Sequence, residues 1–474
     1  MDAELYSIFP QVVLTGSPVE LTIKGVMPQS DLRTLPAGLH LQFIGADGLF
    51  HNGELPGYTC GNGFTFGRIA FEELPIPEID PQDGCLRITH NFHCHGEHSF
   101  RLMLGDDVLA TFRVFSVPEA WLKLRPFKGD MHLHSGYSGC CKERLRLSPE
   151  YYAAANCSRG MDFVGISDHK QFQPSLKAMD FVRQCNCDFQ AYPCEEVHMP
   201  DLHNLHILNF CGKTSISDMM REPDDNYRRE IAEILTHVPE NLDSWVRHLM
   251  AHQEWIHKTI VKQGGLSVFC HPYWRPYERY FIPQILLEYT MEHEFFDAIE
   301  LPAATMMREG NDIAAAMHTE YCMKKGHYIP VVGNNDAHSI DHCAVNYSMI
   351  LAESNSAEAL MAAVRAGNSV GVSDFEGEFP RCIGKLELVK YFHFLRRNYY
   401  PRHDRFAKRE GELLFAALAT GSVDQTYVDF LKVEYKNRHD QPQLPPPVKF
   451  APDKAAFAAV KAERAAFEAK FFQQ

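Results

Sequence analysis

The sequence predicts a mixed α/β protein: an all-β, sandwich-like domain over residues 1–120, an α/β barrel over 127–375, and a helical C-terminal extension over 376–474. Three observations predict it. Short alternating runs separated by turn signals fill the N-terminal part. From Phe127 short apolar strands alternate with helical stretches, the pattern of a mostly parallel sheet closed on itself. After residue 376 the strand runs give way to aromatic, helix-forming segments. The length, 474 residues, exceeds the roughly 250–300 at which a single core stops growing, so more than one domain is required.

In the N-terminal part the runs are VELTIKG, LHLQFIG, FTFGRIAF, CLRITHNF, SFRLML and LATFRVF. The turn signals ADG, HNGELPG, PQDG and LGDD separate them, a spacing that suits a small sandwich. The segment HNFHCHGEH places His90, His93, Cys94, His95 and His98 close together. Its HGEH reads as a hairpin turn, with the histidines half-exposed on adjacent strands and not a metal cluster. VPEAWLKLRPF links this part to the next.

The barrel region runs through GDMHLHS, the helix SPEYYAAANCSRG, MDFVGISDH, a second helix, QAYPCEEV, LHILNF, GGLSVFCHP, FDAIEL and YIPVVGNNDAH. Residues 214–262 interrupt it as a charged helical insertion. SAEALMAAVRAGNSVGV reads as one more helix and strand. RRNYYPRHDRF (396–406) is basic and aromatic but reads as packing or a subunit interface. QPQLPPPVKF is a spacer, since proline breaks helix interiors. DKAAFAAVKAERAAFEAKFF reads as a helix with a Phe stripe, docked on the body or on a second copy, so a homo-oligomer is compatible with it.

Composition narrows the function classes. Hydrophobic residues make up 45% and charged residues 23%, ordinary for a globular protein. The net charge of −15 argues against a nucleic-acid partner, which requires a basic face. No signal-like segment opens the chain and no run approaches the roughly 20 apolar residues of a membrane span. Fourteen cysteines without a signal read as reduced thiols. A cytoplasmic protein without membrane contact is the expectation.

The histidines carry the chemistry. His132 and His134 are two apart on a predicted strand and share a face, as a pair of ligands to one ion must. An H-x-H pair alone says little. Asp168 and His169 then end DFVGIS, Glu195 and Glu196 follow QAYPC, and His206 opens HILNF. His271 ends LSVFC, and Asp336 and His338 follow YIPVVGNN. Successive strands each deliver a metal-ligating residue type, usually at the C-terminal end, where α/β barrels build their sites. Polar residues scattered for solubility would not fall this way.

This order, H-x-H, D-H, a G-x-E-like step, H, H-P and D-x-H, resembles the PHP (polymerase and histidinol phosphatase) family over residues 128 to about 375. The resemblance implies a distorted (β/α)7 barrel, a site for two or three divalent ions (Zn, Mn or Fe), and phosphate ester hydrolysis. It implies His132, His134 and Asp336 as ligands of a first ion, Glu196 as the carboxylate bridging to a second, and His206 and His271 as ligands of that second ion. It implies His169 and His338 for a third. The resemblance prefers Glu196 to Glu195 on register, since the family's glutamate sits two after a small residue and roughly ten before the next histidine, as Glu196 does before His206. The departure lies at Gly139 and Cys140, where the family has Asp or His. Either Cys140 ligates as a thiolate, favouring zinc, or the third site lacks that ligand.

The expected activity is a phosphoesterase on a small-molecule phosphorylated substrate, with Glu196, Asp336, His338 and Asp168 as catalytic groups. Divalent ions roughly 4 Å apart activate water and clamp phosphoryl oxygens, while neutral imidazoles leave the cluster positive for an anionic transition state. Lys170 and Arg275 are candidate substrate-binding cations; as loop charges they read equally as solvated. Two rivals stand: hydrolysis of a non-phosphate bond at the same site, and a degenerate binding or regulatory module, supported by Gly139 and Cys140.

Overall fold

The computed structural model describes residues 5–46, 58–59, 65–66, 71–138, 140, 147–199, 205–276, 278–303 and 308–435. The proline-rich spacer and Ala-rich helix expected after residue 440, together with Gly139, lie outside them. The chain divides into two compact units, one formed around residues 1–122 and the other by 123–439.

Among its described residues the first unit holds two larger sheets and a separate two-stranded pair, Tyr58–Thr59 with Thr65–Phe66. One larger sheet orders Tyr6–Phe9, Pro18–Gly25 and Leu86–Asn91; the other orders Val12–Leu14, Asp107–Val117, Gly96–Leu104, Leu39–Ile44 and Glu72–Leu74. Alternation puts Leu21, Ile23, Leu41, Leu86, Phe100, Leu102 and Val114 into one shared core, as a sandwich requires. HGEH is not the expected hairpin turn. Leu86–Asn91 and Gly96–Leu104 belong to different sheets, so the chain crosses between them here. Burial of Phe92 in the shared core draws the segment across. Gly96, at φ 136°, then takes a backbone conformation that side chains disfavour.

The second unit also holds two sheets. The first runs Gln190–Tyr192, Phe163–Ile166, Arg125–Leu133, Asn346–Ala352, Ser369–Ser373, Arg381–Gly384. The second runs Cys194–His198, His206–Phe210, Leu266–Phe269, Ala298–Glu300, Val331–Val332. Two single bridges join the sheets, Leu133 with Ala337 and His169 with Glu196. The mostly parallel arrangement expected from the sequence is only partly present. Cys194–His198 pairs antiparallel with His206–Phe210, which pairs antiparallel with Leu266–Phe269. The link between the first two is too short for the dozen or so residues of a parallel crossover, so the chain can only turn back.

The insertion forms helices Ile216–Arg221, Asp225–Leu235 and Ser244–Lys262. Ser215 and Asp224 cap the first two, accepting from the exposed N–H groups of Asp218 and Tyr227. Ser244–Lys262 buries Leu249, Trp255, Ile256 and Ile260.

Helices Leu386–Asn398, Tyr400–Thr420 and Gln425–Tyr435 belong to this same unit and do not stand apart as an extension. The apposition is close: a Cβ on Gly411 would lie 2.4 Å from Ser158. RRNYYPRHDRF is packing, with Tyr399, Tyr400 and His403 all buried. His403 spans Asp162 (2.8 Å) and Asp404 (2.9 Å), and Lys128 Nζ meets Asp404 at 2.9 Å, so the charges are balanced locally.

Candidate metal centre

Strand ends deliver the cluster. His132 lies on Arg125–Leu133 with His134 just beyond, His169 follows Phe163–Ile166, and Glu196 lies on Cys194–His198. His206 opens the next strand, His271 follows Leu266–Phe269, and Asp336 and His338 follow Val331–Val332.

Glu196 stands at the middle. Its Oε1 faces His132 Nε2 at 3.3 Å, His206 Nδ1 at 2.6 Å and His271 Nε2 at 3.3 Å. Its Oε2 faces His134 Nε2 at 3.5 Å, His169 Nδ1 at 2.5 Å and His198 Nε2 at 3.4 Å. Asp336 Oδ1 is shared by His132 Nε2 at 3.3 Å and His134 Nε2 at 3.0 Å. Each oxygen of one buried carboxylate thus has its own set of imidazoles.

The residues around the cluster hold it in place. Glu300 Oε1 accepts from His132 Nδ1 at 2.8 Å and from Asn334 Nδ2 at 3.0 Å, and Oε2 accepts from the His271 backbone N–H at 2.9 Å. A carboxylate only accepts, so it fixes the proton on Nδ1 and turns Nε2 inward. Buried Asp130 clamps the H-x-H and D-x-H segments together: Oδ1 accepts from the backbone of His132 (3.0 Å) and Asn335 (3.2 Å), and Oδ2 from Asn335 Nδ2 at 2.8 Å. Asp336 at φ 46°, His271 at φ 24° and Lys170 at φ 56° all occupy the sparsely populated left-handed side. Strain of this kind persists only where the surroundings enforce it.

The donor set fits cations. His132 Nε2 is buried without a hydrogen-bond partner and faces two carboxylate oxygens. His206 Nδ1 and His271 Nε2 are 3.1 Å apart and both face Glu196 Oε1. If both carry protons the N–H groups confront each other; if either is bare, its lone pair meets the carboxylate. Positive charge between them makes every contact attractive. Without a cation, protons are the only substitute. Burial opposes charge on His132, but Glu300, Asp336 and Glu196 hold its pKa well above the usual value. Burial likewise opposes a charged Glu196, yet His206, His169 and His132 keep it ionised well below the usual carboxylate range. Burial, reinforced by His169, lowers His134 to about 3.

Of the residues singled out in the sequence, His132, His134, His169, Glu196, His206, His271, Asp336 and His338 come together here. His338 is the outermost, its ring 4.4 Å from that of His134 and its Nδ1 3.6 Å from Asp336 Oδ1. The Cys140 thiol groups with His134 and His169 at metal-ligand spacing. Glu195 faces away, accepting from Asn209 Nδ2, Ser215 Oγ and the Ile216 backbone. Asp168, expected among the catalytic groups, instead accepts from Ser135 N (2.8 Å), Ser135 Oγ (2.5 Å) and Ser138 Oγ (2.5 Å). It fixes the loop after His134 through these serines, one of which, Ser138, also meets His134 Nδ1 at 3.0 Å. Lys170 donates its backbone N–H to the Glu196 carbonyl at 3.0 Å, beside His169. Arg275 is exposed and contacts Glu309 and the Glu278 carbonyl, not the cluster.

Two residues were missed. His198 is two after Glu196 on one strand and shares its face, the same spacing that drew attention to His132 and His134. Glu300 ends AIE as other site residues end their strands, but nothing in the sequence ties it to His132.

No protein-family model matches the chain, nor does any curated protein. Among solved structures the chain is similar to a two-domain protein from Bacteroides vulgatus containing a predicted PHP-like metal-dependent phosphoesterase (15% identity over 57% of this chain and 70% of that one, TM-score 0.38). It is similar to an amidohydrolase from Chromobacterium violaceum solved with sulfate and no metal (17% identity, 44% and 87% covered, TM-score 0.29). It is also similar to a lesion-specific endonuclease from Pyrococcus furiosus (15% identity, 52% and 57% covered, TM-score 0.29).

Proposed function

We propose that this chain is a metal-dependent hydrolase with a PHP-like centre, a phosphoesterase acting on a small-molecule phosphate ester with two or three divalent ions (zinc, manganese or iron). The observation that carries it is Glu196, whose two oxygens each face their own imidazoles as a bridging carboxylate does. The circuit of strands joined by the Leu133–Ala337 and His169–Glu196 bridges supports reading the two sheets as a distorted barrel.

Divalent ions bound there supply Lewis acidity and polarise water. The chain's own groups do the rest. Glu300 orients His132, and Asp130 and Asn335 hold the H-x-H and D-x-H segments in mutual register. His169 and His338 keep 21% and 32% of their side-chain surface exposed while His132 and His134 keep none, so substrate enters from their side. Lys170 follows His169 on that rim and takes the phosphate charge. Trp274 and Phe281, with rings 5.9 and 5.6 Å from His206, shield the other flank from water.

The test is a panel of aryl phosphomonoesters, aryl phosphodiesters and an aryl carboxylic ester, assayed with manganese, zinc and iron and after chelation. Chelator-sensitive cleavage of a phosphate ester is expected. Cleavage of the carboxylic ester alone, or purified protein that retains no metal, would overturn the reading.

A further inference from the structure

We propose that His198 is an ion ligand, and that His169, Glu196 and His198 together form a cation site on the Oε2 side of the Glu196 carboxylate. The inference rests on reading the cluster as a metal centre. It adds a residue that the H-x-H, D-H, E, H, H-P, D-x-H pattern does not assign.

Strand geometry puts His198 there. It lies two residues after Glu196 on Cys194–His198, so both side chains leave the same face. Antiparallel pairing sets His198 directly opposite His206, and the rings stack with centroids 3.9 Å apart and planes 4° from parallel. The bridge between His169 and Glu196 brings the third member alongside. His198 is buried, at 6% exposed.

Three ligand atoms then meet in a small space. His169 Nδ1 is 2.5 Å from Glu196 Oε2, His198 Nε2 is 3.4 Å from the same oxygen, and the two nitrogens are 2.8 Å apart. The carboxylate oxygen can only accept. If both nitrogens carry protons, two N–H groups confront each other. If only His198 Nε2 does, it can donate to His169 Nδ1, but that bare nitrogen then lies 2.5 Å from a carboxylate oxygen. If only His169 Nδ1 does, the His198 lone pair still faces the carboxylate. With the Glu196 carboxylate ionised, each of these arrangements leaves one repulsive contact, and one cation among the three atoms makes all of them attractive. Two imidazoles and a carboxylate suit a borderline divalent ion such as zinc. Cys140 groups with His134 and the same His169. His198 therefore supplies a nitrogen ligand next to the very site where the pattern of the chain departs from its resemblance.

The experiment counts zinc. Full-length wild type, His198→Ala and His198→Asp are loaded with zinc, freed of loosely held metal by gel filtration and measured by elemental analysis. His198→Ala should lose about one equivalent, and His198→Asp, which restores an oxygen ligand, should recover it. An unchanged count in His198→Ala, with unchanged resistance to chelator, overturns the proposal. Wild type that holds no zinc overturns the metal-centre reading and this inference with it, a different result from wild type that holds zinc the alanine variant also keeps. A measurement on wild type alone covers the case in which the variants fail to fold. Anomalous scattering from zinc-loaded crystals should place a peak about 2.0–2.1 Å from His198 Nε2. Zinc peaks at His132 or His206 with none at His198 would rule it out.

Discussion

Two regions of this chain are rich in histidine, and they use it differently. In the first unit His90, His95 and His98 are drawn into aromatic and hydroxyl packing. His90 lies against Phe43, Phe92 and Phe100, and His95 against Phe115 and Trp121. His98 meets Ser116 Oγ at 2.8 Å and accepts from the Ala46 backbone at 3.1 Å. In the second unit the imidazole nitrogens turn towards shared carboxylates, Glu196 and Asp336, and towards one another. Among the described residues, groupings at metal-ligand spacing occur only in the second unit. The difference is not histidine density. A ring nitrogen satisfied by a neutral partner has no need of a cation, whereas several lone pairs converging on buried anionic oxygens do.

The contrast breaks most sharply at Glu196. Glu196→Gln keeps the shape and removes the charge that holds cations together. Bound metal should fall and activity should drop by more than about a hundredfold, beyond the range for losing an outer partner of a ligand. Glu195→Gln should change metal content far less, because Glu195 serves Asn209, Ser215 and Ile216. Replacing His90, His93 and His95 together by Ala should leave metal content unchanged. Elemental analysis of the three proteins decides, and equal losses would erase the distinction between the regions.

Glu300→Gln should produce the next largest effect. The amide can no longer enforce a proton on His132 Nδ1 as an acceptor-only group does. Metal affinity should weaken by about 10–100-fold while the fold persists. Competition with a chelator of known strength measures it, and wild-type affinity would show that Glu300 does not orient His132.

A smaller, purely structural effect is expected in the first unit. His98→Ala leaves the buried Ser116 hydroxyl with one partner fewer, at a cost of about 1–3 kcal/mol. Denaturant unfolding should register it without any change in bound metal. Loss of metal in this variant would mean that the sandwich histidines belong to a site after all.

His403 sharpens the comparison from within the second unit. Like the cluster histidines it sits between carboxylates, but Lys128 balances Asp404 and no cation is called for. Burial opposes its charge, yet Asp162 and Asp404 raise its pKa above the usual value. A raised folded-state value means the contribution is complete below the unfolded value, about 6.5, and fades as pH rises through the folded one. The stability gap between wild type and His403→Gln should therefore be widest in mild acid and narrow as the solution becomes alkaline. A gap that widens with pH would contradict this sign.

Much of the site was legible because its period is local. H-x-H puts two ligands on one side of an extended segment, D-x-H sets two more close together, and the resemblance supplied the roughly ten-residue step from Glu196 to His206. The same local rule reaches His198, which is two after Glu196, but nothing nearby marked it out from other strand histidines. Asp168 shows the opposite limit. Its position beside His169 placed it in the site by adjacency, while successive strand side chains alternate, and Ser135 and Ser138 claim its carboxylate. The antiparallel pairing of Cys194–His198 and the crossing at Gly96 were likewise hidden, since neither alternation nor turn composition says which partner a strand joins.

The sequence by itself determined which residues face a common side of each strand, because side-chain direction follows from backbone repeat alone. It also determined the separation of a β region from a strand–helix region, because hydrophobic period is a local property. Only the tertiary structure decided which of those faces meet. Glu300 finds His132 across 168 residues, and His206 finds His271 across 65. Pairings of that kind are set by strand order and register, which depend on how whole sheets bury their apolar faces. The same packing decided that His403 would be neutralised by Lys128 and its neighbours, and that the nitrogens around Glu196 would be left facing one another.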